Sequence, residues 1–340
     1  MEFKAIQKTA TFLDPFNKMT PKNVPVEIRL DPLTGRSSRI CHFRDLAWTK
    51  PDLDALVAGT DARCPFCPQI IAKITPNFPP DVLSEGRLAD GDLLLFPNIA
   101  PYDSLSVVVS LGEKHFVPMT GFEPERIARA FSLVRRFFDR LEEIRHPESV
   151  YHLINWNYMP PAGSSIVHPH LQIFASATAT TLLREKLEAA RAYQAAQGKN
   201  FWDDLVQTEQ GGPRFIGEIG RTRWLSVYAP QGLMGDVTAV VDGARSLFDL
   251  TDADHLDLGR GIQRVLAAYD QMGVYSFNMG MFAGARGDDH ARLHIVLSPR
   301  LIINPAIGTS DINSLQHMQG DAFCLAYPEE IAKKIREVFS

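Results

Sequence analysis

The chain has 340 residues, 45% hydrophobic and 22% charged, with a formal net charge of -5. That length and balance fit a globular protein with two domains or one large duplicated unit. They argue against a nucleic acid bound through a broad basic face. Residues 1–8 lack the basic start and apolar run of a secretory signal, and no apolar stretch has the length of a bilayer span. A cytoplasmic protein with no membrane contact is therefore expected.

Four cysteines in a chain this long do not make a disulfide framework. Cys64 and Cys67 form a Cys-x-x-Cys with Pro65 inside it and Pro68 after it, a knuckle-like turn whose spacing suits two thiolates on one zinc. A redox pair is the competing reading; it would ordinarily open a helix after a strand, and no strand precedes this one. Cys41 and Cys324 stand alone and read as packed residues.

Residues 92–96 and 106–109 read as strands around a turn that contains Asn98, and 112–116 brings in His115. Ile127, Phe131, Val134 and Phe138 recur at helical spacing across 123–143. A strand over 151–156 and a glycine-containing loop then lead to residues 164–174. In an extended strand, residues two apart share a face. His168, His170 and Gln172 would form one polar row there, with Val167, Leu171 and Ile173 on the other face. Burying such a row is costly unless each member has a partner, which points to a metal site, a catalytic site or both.

The second half repeats this order. Strands over 224–230 and 236–241, a helix over 252–270 and strands over 275–280 and 292–297 echo the first half. Tyr151 to His170 and Tyr275 to His294 are each separated by nineteen residues. Two copies of one α+β unit are inferred, 1–180 and 181–340, with 180–223 as the connection. Only the first copy keeps the polar row, because the second reads His294-Ile295-Val296.

Two thiolates need two more ligands for a closed tetrahedral zinc, and His115 and His168 are the best-placed candidates. His170 then faces the same pocket with Nε2 available, and a neutral imidazole is a competent nucleophile toward an activated phosphorus. The Gln172 amide donates to phosphoryl oxygens without supplying a proton or a base, which favours transfer over hydrolysis. Packed thiols, structural histidines and turn asparagines are the structural alternatives. At the level of function, the alternatives are a hydrolase or a non-catalytic, zinc-stabilised nucleotide-binding module.

His168-Pro169-His170-Leu171-Gln172, the Cys-x-x-Cys, the duplicated frame and Asp31-Pro32-Leu33-Thr34-Gly35 together resemble the galactose-1-phosphate uridylyltransferase branch of the histidine triad superfamily. That branch has affinity to ADP-sugar and diadenosine tetraphosphate phosphorylases. The resemblance implies a duplicated α+β fold of two antiparallel-sheet halves, each with packing helices. It implies a nucleotidyl group carried on His170, zinc on Cys64, Cys67, His115 and His168, and Ser165 and Gln172 at the phosphates. Arg44, Asn98, Asn157, Gly163 and Ser164 fall at substrate-binding positions. A nucleotide sugar or dinucleotide, a phosphate-bearing acceptor, a place in galactose metabolism and a homodimer are also implied. The chain departs from the family at Leu171, where glycine is usual and leucine suggests an adenylyl donor. It departs also at Ile99, where aspartate often follows the asparagine, and at Val296, which breaks a second metal site known in some members. Residues 319–327, where hexose-recognising side chains would fall, match loosely.

Overall fold

The computed structural model describes residues 1–41 and 50–339. The chain opens with a hairpin of β1 (Lys4–Asp14) and β2 (Thr20–Leu30), and β3 (Ser37–Cys41) pairs with β2. Short helices α1 (Leu53–Val57) and α2 (Ile71–Ile74) stand on either side of the two cysteines. The first repeat follows as β4 (Leu88–Asp90), β5 (Leu93–Pro97), β6 (Leu105–Ser110), α3 (Pro124–Glu143), β7 (Tyr151–Tyr158) and β8 (His170–Ser176). Helices α4 (Thr181–Gln197) and α5 (Phe201–Glu209) make the connection. The second repeat is β9 (Phe215–Ile219), β10 (Thr222–Ser226), β11 (Val237–Val241), α6 (Asp252–Gln271), β12 (Ser276–Phe282) and β13 (His294–Arg300). The chain finishes with β14 (Ile302–Asn304), β15 (Thr309–Ser310), α7 (Ser314–Gln319), β16 (Ala322–Cys324) and α8 (Pro328–Phe339).

Among the described residues, ten strands form one sheet in the order β4-β5-β6-β8-β7-β12-β13-β11-β10-β9. The order is a palindrome of the two repeats, so the duplicated α+β architecture expected from the sequence is the one observed. The halves join edge to edge through antiparallel β7 and β12, with Asn157 opposite Asn278. Joining them this way removes two sheet edges that would otherwise be left unpaired. A separate sheet, β1-β2-β3-β16, joins strands from the first 41 residues to one from near the C-terminus, with β16 parallel to β3. Strands β1 and β9 show no clear hydrophobic alternation, whereas Val24, Val26, Ile28 and Leu30 alternate along β2.

The two faces of the long sheet differ, and the difference positions the site. On one face Ile154, Trp156, Leu171, Ile173, Ile295 and Leu297 pack into the main core with α3, α6 and α8. Strands β6 and β11 are buried along their whole length, which is why Leu-Ser-Val-Val-Val-Ser and Val-Thr-Ala-Val-Val carry no strongly polar side chain. Helix α3 begins at Pro124, where a missing N–H costs nothing, and α6 begins in a capping box of Thr251 and Asp254. Two glycines let α6 pack closely: a Cβ at Gly259 would collide with the Pro124 carbonyl, and one at Gly261 with the Trp224 indole.

The opposite face carries residues 170, 172, 278, 296, 298 and 300, and here one expectation needs correction. The strand begins at His170, so His168 lies just before it instead of within it. Pro169 has no N–H to give the ladder; the last rung is its carbonyl, which accepts from the Leu111 amide at 2.9 Å. No helix among the described residues is long and apolar enough to cross a membrane.

Candidate active site and metal centre

The turn after α1 brings Cys64 and Cys67 to the mouth of the first repeat, both buried, with the Phe66 amide donating to Cys64 Sγ at 3.4 Å. His115, from the loop after β6, and His168 complete a group whose ligand atoms all lie within 4.8 Å of one another. Nδ1 of His115 is 3.5 Å from Cys67 Sγ, and Nδ1 of His168 is 3.8 Å from it. These separations are close to the ligand-to-ligand edges of a tetrahedral S2N2 zinc site, roughly 3.5–4 Å.

The outer nitrogens explain the orientation of both rings. Nε2 of His168 faces the Gly112 carbonyl at 2.7 Å, an obligate acceptor, so that nitrogen carries the proton and Nδ1 keeps its lone pair. Nε2 of His115 lies 2.8 Å from Thr60 Oγ1, whose own proton goes to the Val57 carbonyl at 2.7 Å. Both imidazoles therefore aim a lone pair at the cysteines, the arrangement that second-shell bonds impose on metal ligands. Burial and the neighbouring Cys64 push the Cys67 thiol up to about 11, and burial, with His115 and His170 nearby, pushes His168 down to about 4. Two imidazole lone pairs facing two cysteine sulfurs are a donor set suited to a soft divalent cation. The four residues form a cluster that can hold a metal ion.

His170 opens β8 opposite Ser110 and is buried. Its Nδ1 is 2.8 Å from the His168 carbonyl, so Nδ1 is the protonated nitrogen and Nε2 holds the lone pair. No side chain among the described residues bonds to Nε2. Burial lowers the His170 pKa, opposed by that backbone bond, which keeps the ring neutral at pH 7. The ring of Phe66 stands edge-on to His170 at 5.1 Å and belongs to a small apolar cluster with Phe96 and Val108. This wall was missed in the sequence, although Phe66 lies between the two cysteines.

Gln172 shares the His170 face, and its Oε1 accepts from Asn157 Nδ2 at 3.0 Å. Asn157 Oδ1 in turn accepts from Asn278 Nδ2 at 2.7 Å, across the junction of the repeats. Leu171, one residue out of phase, is buried in the core face and does not touch this row. Gly163 has φ +82° with open space around it, so its requirement is conformational. Ser164 donates to the Ile166 carbonyl at 2.7 Å, while Ser165 is exposed and unbonded among the described residues. Asn98 builds its own turn, accepting from the Ala100 amide at 3.0 Å. Arg44 lies outside the described residues.

In the second repeat, His294 occupies the place of His170. Its Nδ1 is 2.9 Å from the Arg292 carbonyl, its Nε2 is 3.0 Å from Lys186 Nζ, and its ring stacks between Trp202 and Phe282. With Val296 on the same face, this position gathers no cluster of metal ligands among the described residues. A cavity of about 280 Å³ opens beside it, lined by Lys186, Trp202, Leu225, Asn278, Phe282 and Arg300 among others. Lys186 gave no sequence signal beyond its place on an amphipathic helix.

No family model matches the chain. An uncharacterized protein of Archaeoglobus fulgidus is 31% identical over 342 residues, covering 100% of this chain and 99% of that protein. Among solved structures, an ADP-glucose phosphorylase from Arabidopsis thaliana with bound ADP-glucose aligns with a TM-score of 0.71 at 18% identity, over 92% of this chain and 99% of that one. A uridylyltransferase structure aligns at 0.68 with 21% identity, over 92% and 98%. The chain belongs to one family with the A. fulgidus protein, and it shares the fold of the ADP-glucose phosphorylase and uridylyltransferase structures.

Proposed function

We propose that the chain is a nucleotidyltransferase that works by double displacement through a covalent nucleotidyl-His170. Nε2 of His170 attacks the α-phosphorus of a nucleotide sugar or dinucleotide; the N–P bond forms and the bond to the leaving phosphate oxygen breaks, with its electron pair leaving on that phosphate. An acceptor phosphate oxygen then attacks the same phosphorus, the N–P bond breaks and the neutral imidazole returns. The observation that carries this reading is the Nδ1 bond from His170 to the His168 carbonyl at 2.8 Å, which leaves the Nε2 lone pair facing the site. Gln172 and Ser165 orient the phosphoryl oxygens, and the Phe66, Phe96 and Val108 wall receives the base. Asn157, Gly163, Ser164, Asn98 and Arg44 are assigned to substrate binding.

Cys64, Cys67, His115 and His168 would hold zinc. Held there, it would tie the cysteine turn to the segment entering β8 and would supply rigidity, not chemistry. The acceptor is assigned as a hexose-1-phosphate or inorganic phosphate, and the working unit as a homodimer. The Leu171 side chain faces the core, so a bias toward an adenylyl donor would act through packing and not by contact with the base. Incubation with UDP-glucose, ADP-glucose or diadenosine tetraphosphate followed by intact-mass measurement reads the adduct directly. A UMP or AMP increment on wild type that is absent from His170→Gly supports the reading, and no increment with any of the three overturns it.

A further inference from the structure

The second repeat has lost the polar row, yet it reaches into the site of the first. Asp311, 3% exposed, holds Arg300 through two bonds of 2.9 and 2.7 Å. Arg300 Nη1 donates to Asn278 Oδ1 at 2.6 Å. Asn278 Nδ2 donates to Asn157 Oδ1 at 2.7 Å and to the Ala162 carbonyl at 2.9 Å. Asn157 Nδ2 donates to Gln172 Oε1 at 3.0 Å.

The direction of this chain of amides is dictated by its ends. A carboxamide can present its oxygen or its nitrogen to a neighbour, and nothing in the side chain itself decides which. A guanidinium can only donate, so Asn278 must turn its oxygen to Arg300. The Ala162 carbonyl can only accept, so Asn278 must turn its nitrogen toward the first repeat. That forces the oxygen of Asn157 toward Asn278 and its nitrogen toward Gln172. Among the described residues nothing accepts from Gln172, which keeps both N–H donors on the face of β8 that carries His170.

The structure assigns Arg300 and Asn278, fixed by Asp311, as positioning residues that set the donor polarity of the Gln172 amide at the nucleotidyl site. The same strand also braces the loop that carries Gly163 and Ser165. Ser276 donates to the Tyr158 carbonyl at 2.7 Å, and Asn278 holds Ala162, on either side of Met159. Met159 has φ 69° and ψ 163°, a conformation strained for a non-glycine residue that persists only when its surroundings over-determine it. The second repeat thus acts on the first at two points, through the amide chain and through the loop.

This inference rests on the nucleotidyl-His170 reading for its activity readout, so the test has a second readout that does not. Asn278→Asp is nearly isosteric but can only accept. It still receives Arg300, then takes the Asn157 nitrogen, and the reversed Asn157 draws the Gln172 nitrogen inward, leaving an oxygen toward the phosphate. Asn278→Leu removes the hold without reversing it. In single-turnover labelling with the nucleotide sugar that marks wild type, Asn278→Asp should slow adduct formation by roughly 10- to 100-fold at saturating donor, more than Asn278→Leu. Arg300→Lys, which keeps a donor, should stay within roughly threefold of wild type. In parallel, the side-chain ¹H–¹⁵N signals of labelled Gln172 report its amide directly. In Asn278→Asp one of its protons should move downfield and exchange more slowly, with no such change in Arg300→Lys. Equal labelling rates for the Asp and Leu variants, or unchanged Gln172 signals in Asn278→Asp, overturn the polarity assignment. Absence of any adduct on wild type overturns the nucleotidyl reading instead, and the Gln172 signals then decide the assignment alone.

Discussion

His170 and His294 begin equivalent strands and are locked alike, each with Nδ1 against the carbonyl two residues earlier at 2.8 and 2.9 Å. The backbone therefore supplies the same tautomer twice. What differs is the other nitrogen. On His170 it meets no described partner, whereas on His294 it faces Lys186 and the ring is closed between Trp202 and Phe282. The two sites differ in the occupation of one lone pair and in the enclosure of the His294 ring between two aromatic side chains. The sharpest way to break this comparison is to delete each ring. His170→Gly should reduce nucleotidyl transfer by at least about 10³-fold, as loss of a covalent nucleophile does. His294→Ala should leave adduct formation within roughly threefold, measured below its melting point, while losing about 2–4 kcal/mol of stability to the cavity it opens. Equal loss of transfer in the two variants would mean that the second histidine also works in the chemistry.

The metal cluster is the second asymmetry. Cys64, Cys67, His115 and His168 come together beside the first repeat, and no comparable group forms among the described residues of the second. Chelation of the purified protein should lower its melting point by roughly 5 °C, since a closed metal site would contribute several kcal/mol and the shift per kcal/mol falls to about 1–2 °C in a chain of this size. Hydrogen exchange should rise first around 62–72 and 110–116, with β11 and β13 still protected. A uniform rise across both repeats would show that the cluster supports the whole sheet and not its own half.

The repeat and the first-half site were legible because they reside in short-range patterns. The Cys-x-x-Cys, the alternating His170 and Gln172, and the nineteen-residue spacing are local facts about strands and turns, and each survived into the structure. The strand's start at His170 could have been read from Pro169. What was not legible is long-range polar pairing: Arg300 to Asn278 spans 22 residues and Asn278 to Asn157 spans 121, and no periodicity announces an amide's partner. The polar alternation of Ser276, Asn278 and Gly280 in an apolar strand was the one available signal. Strand β1 was illegible for the opposite reason. All of β1 except Asp14 is exposed, so no hydrophobic alternation marks it.

Lys186 offers a smaller and cleaner perturbation of the second repeat. Its ammonium lies over the Phe282 ring at 4.2 Å and near Trp202 at 5.5 Å, and burial lowers its pKa to about 8. A charge enclosed by aromatic rings and one neutral imidazole is retained at a cost in desolvation. Lys186→Met keeps the stem and removes the charge, so stability should hold within about 1 kcal/mol or improve. The His294 ring, which that charge helps hold neutral, should then protonate at a higher pH in a histidine-resolved NMR titration. A marked loss of stability would show instead that the Lys186–His294 contact is a structural bond in its own right.

The two central strands also separate by pH. His152 in β7 is buried between Phe138 and Phe248, and the matching position of β12 is Ser276, which cannot titrate in this range. Burial lowers His152 to about 4, outweighing the opposing charge of Glu142. In the unfolded chain the ring protonates near 6.5, while in the folded chain it stays neutral until about pH 4, so between these values the unfolded state binds the extra proton. The contribution is therefore complete above pH 6.5 and is lost progressively as the pH falls toward 4, to a limit of about 3 kcal/mol. Phenylalanine suits the same aromatic slot, and Ser149, which meets the ring at 3.0 Å, keeps its bond to Glu142 at 2.7 Å. His152→Phe should therefore flatten the stability-versus-pH curve by about one proton over pH 6.5 to 4, read from denaturant midpoints at half-unit steps. Parallel curves for wild type and variant would mean that β7 opens enough in the native state to let this ring titrate like an exposed one.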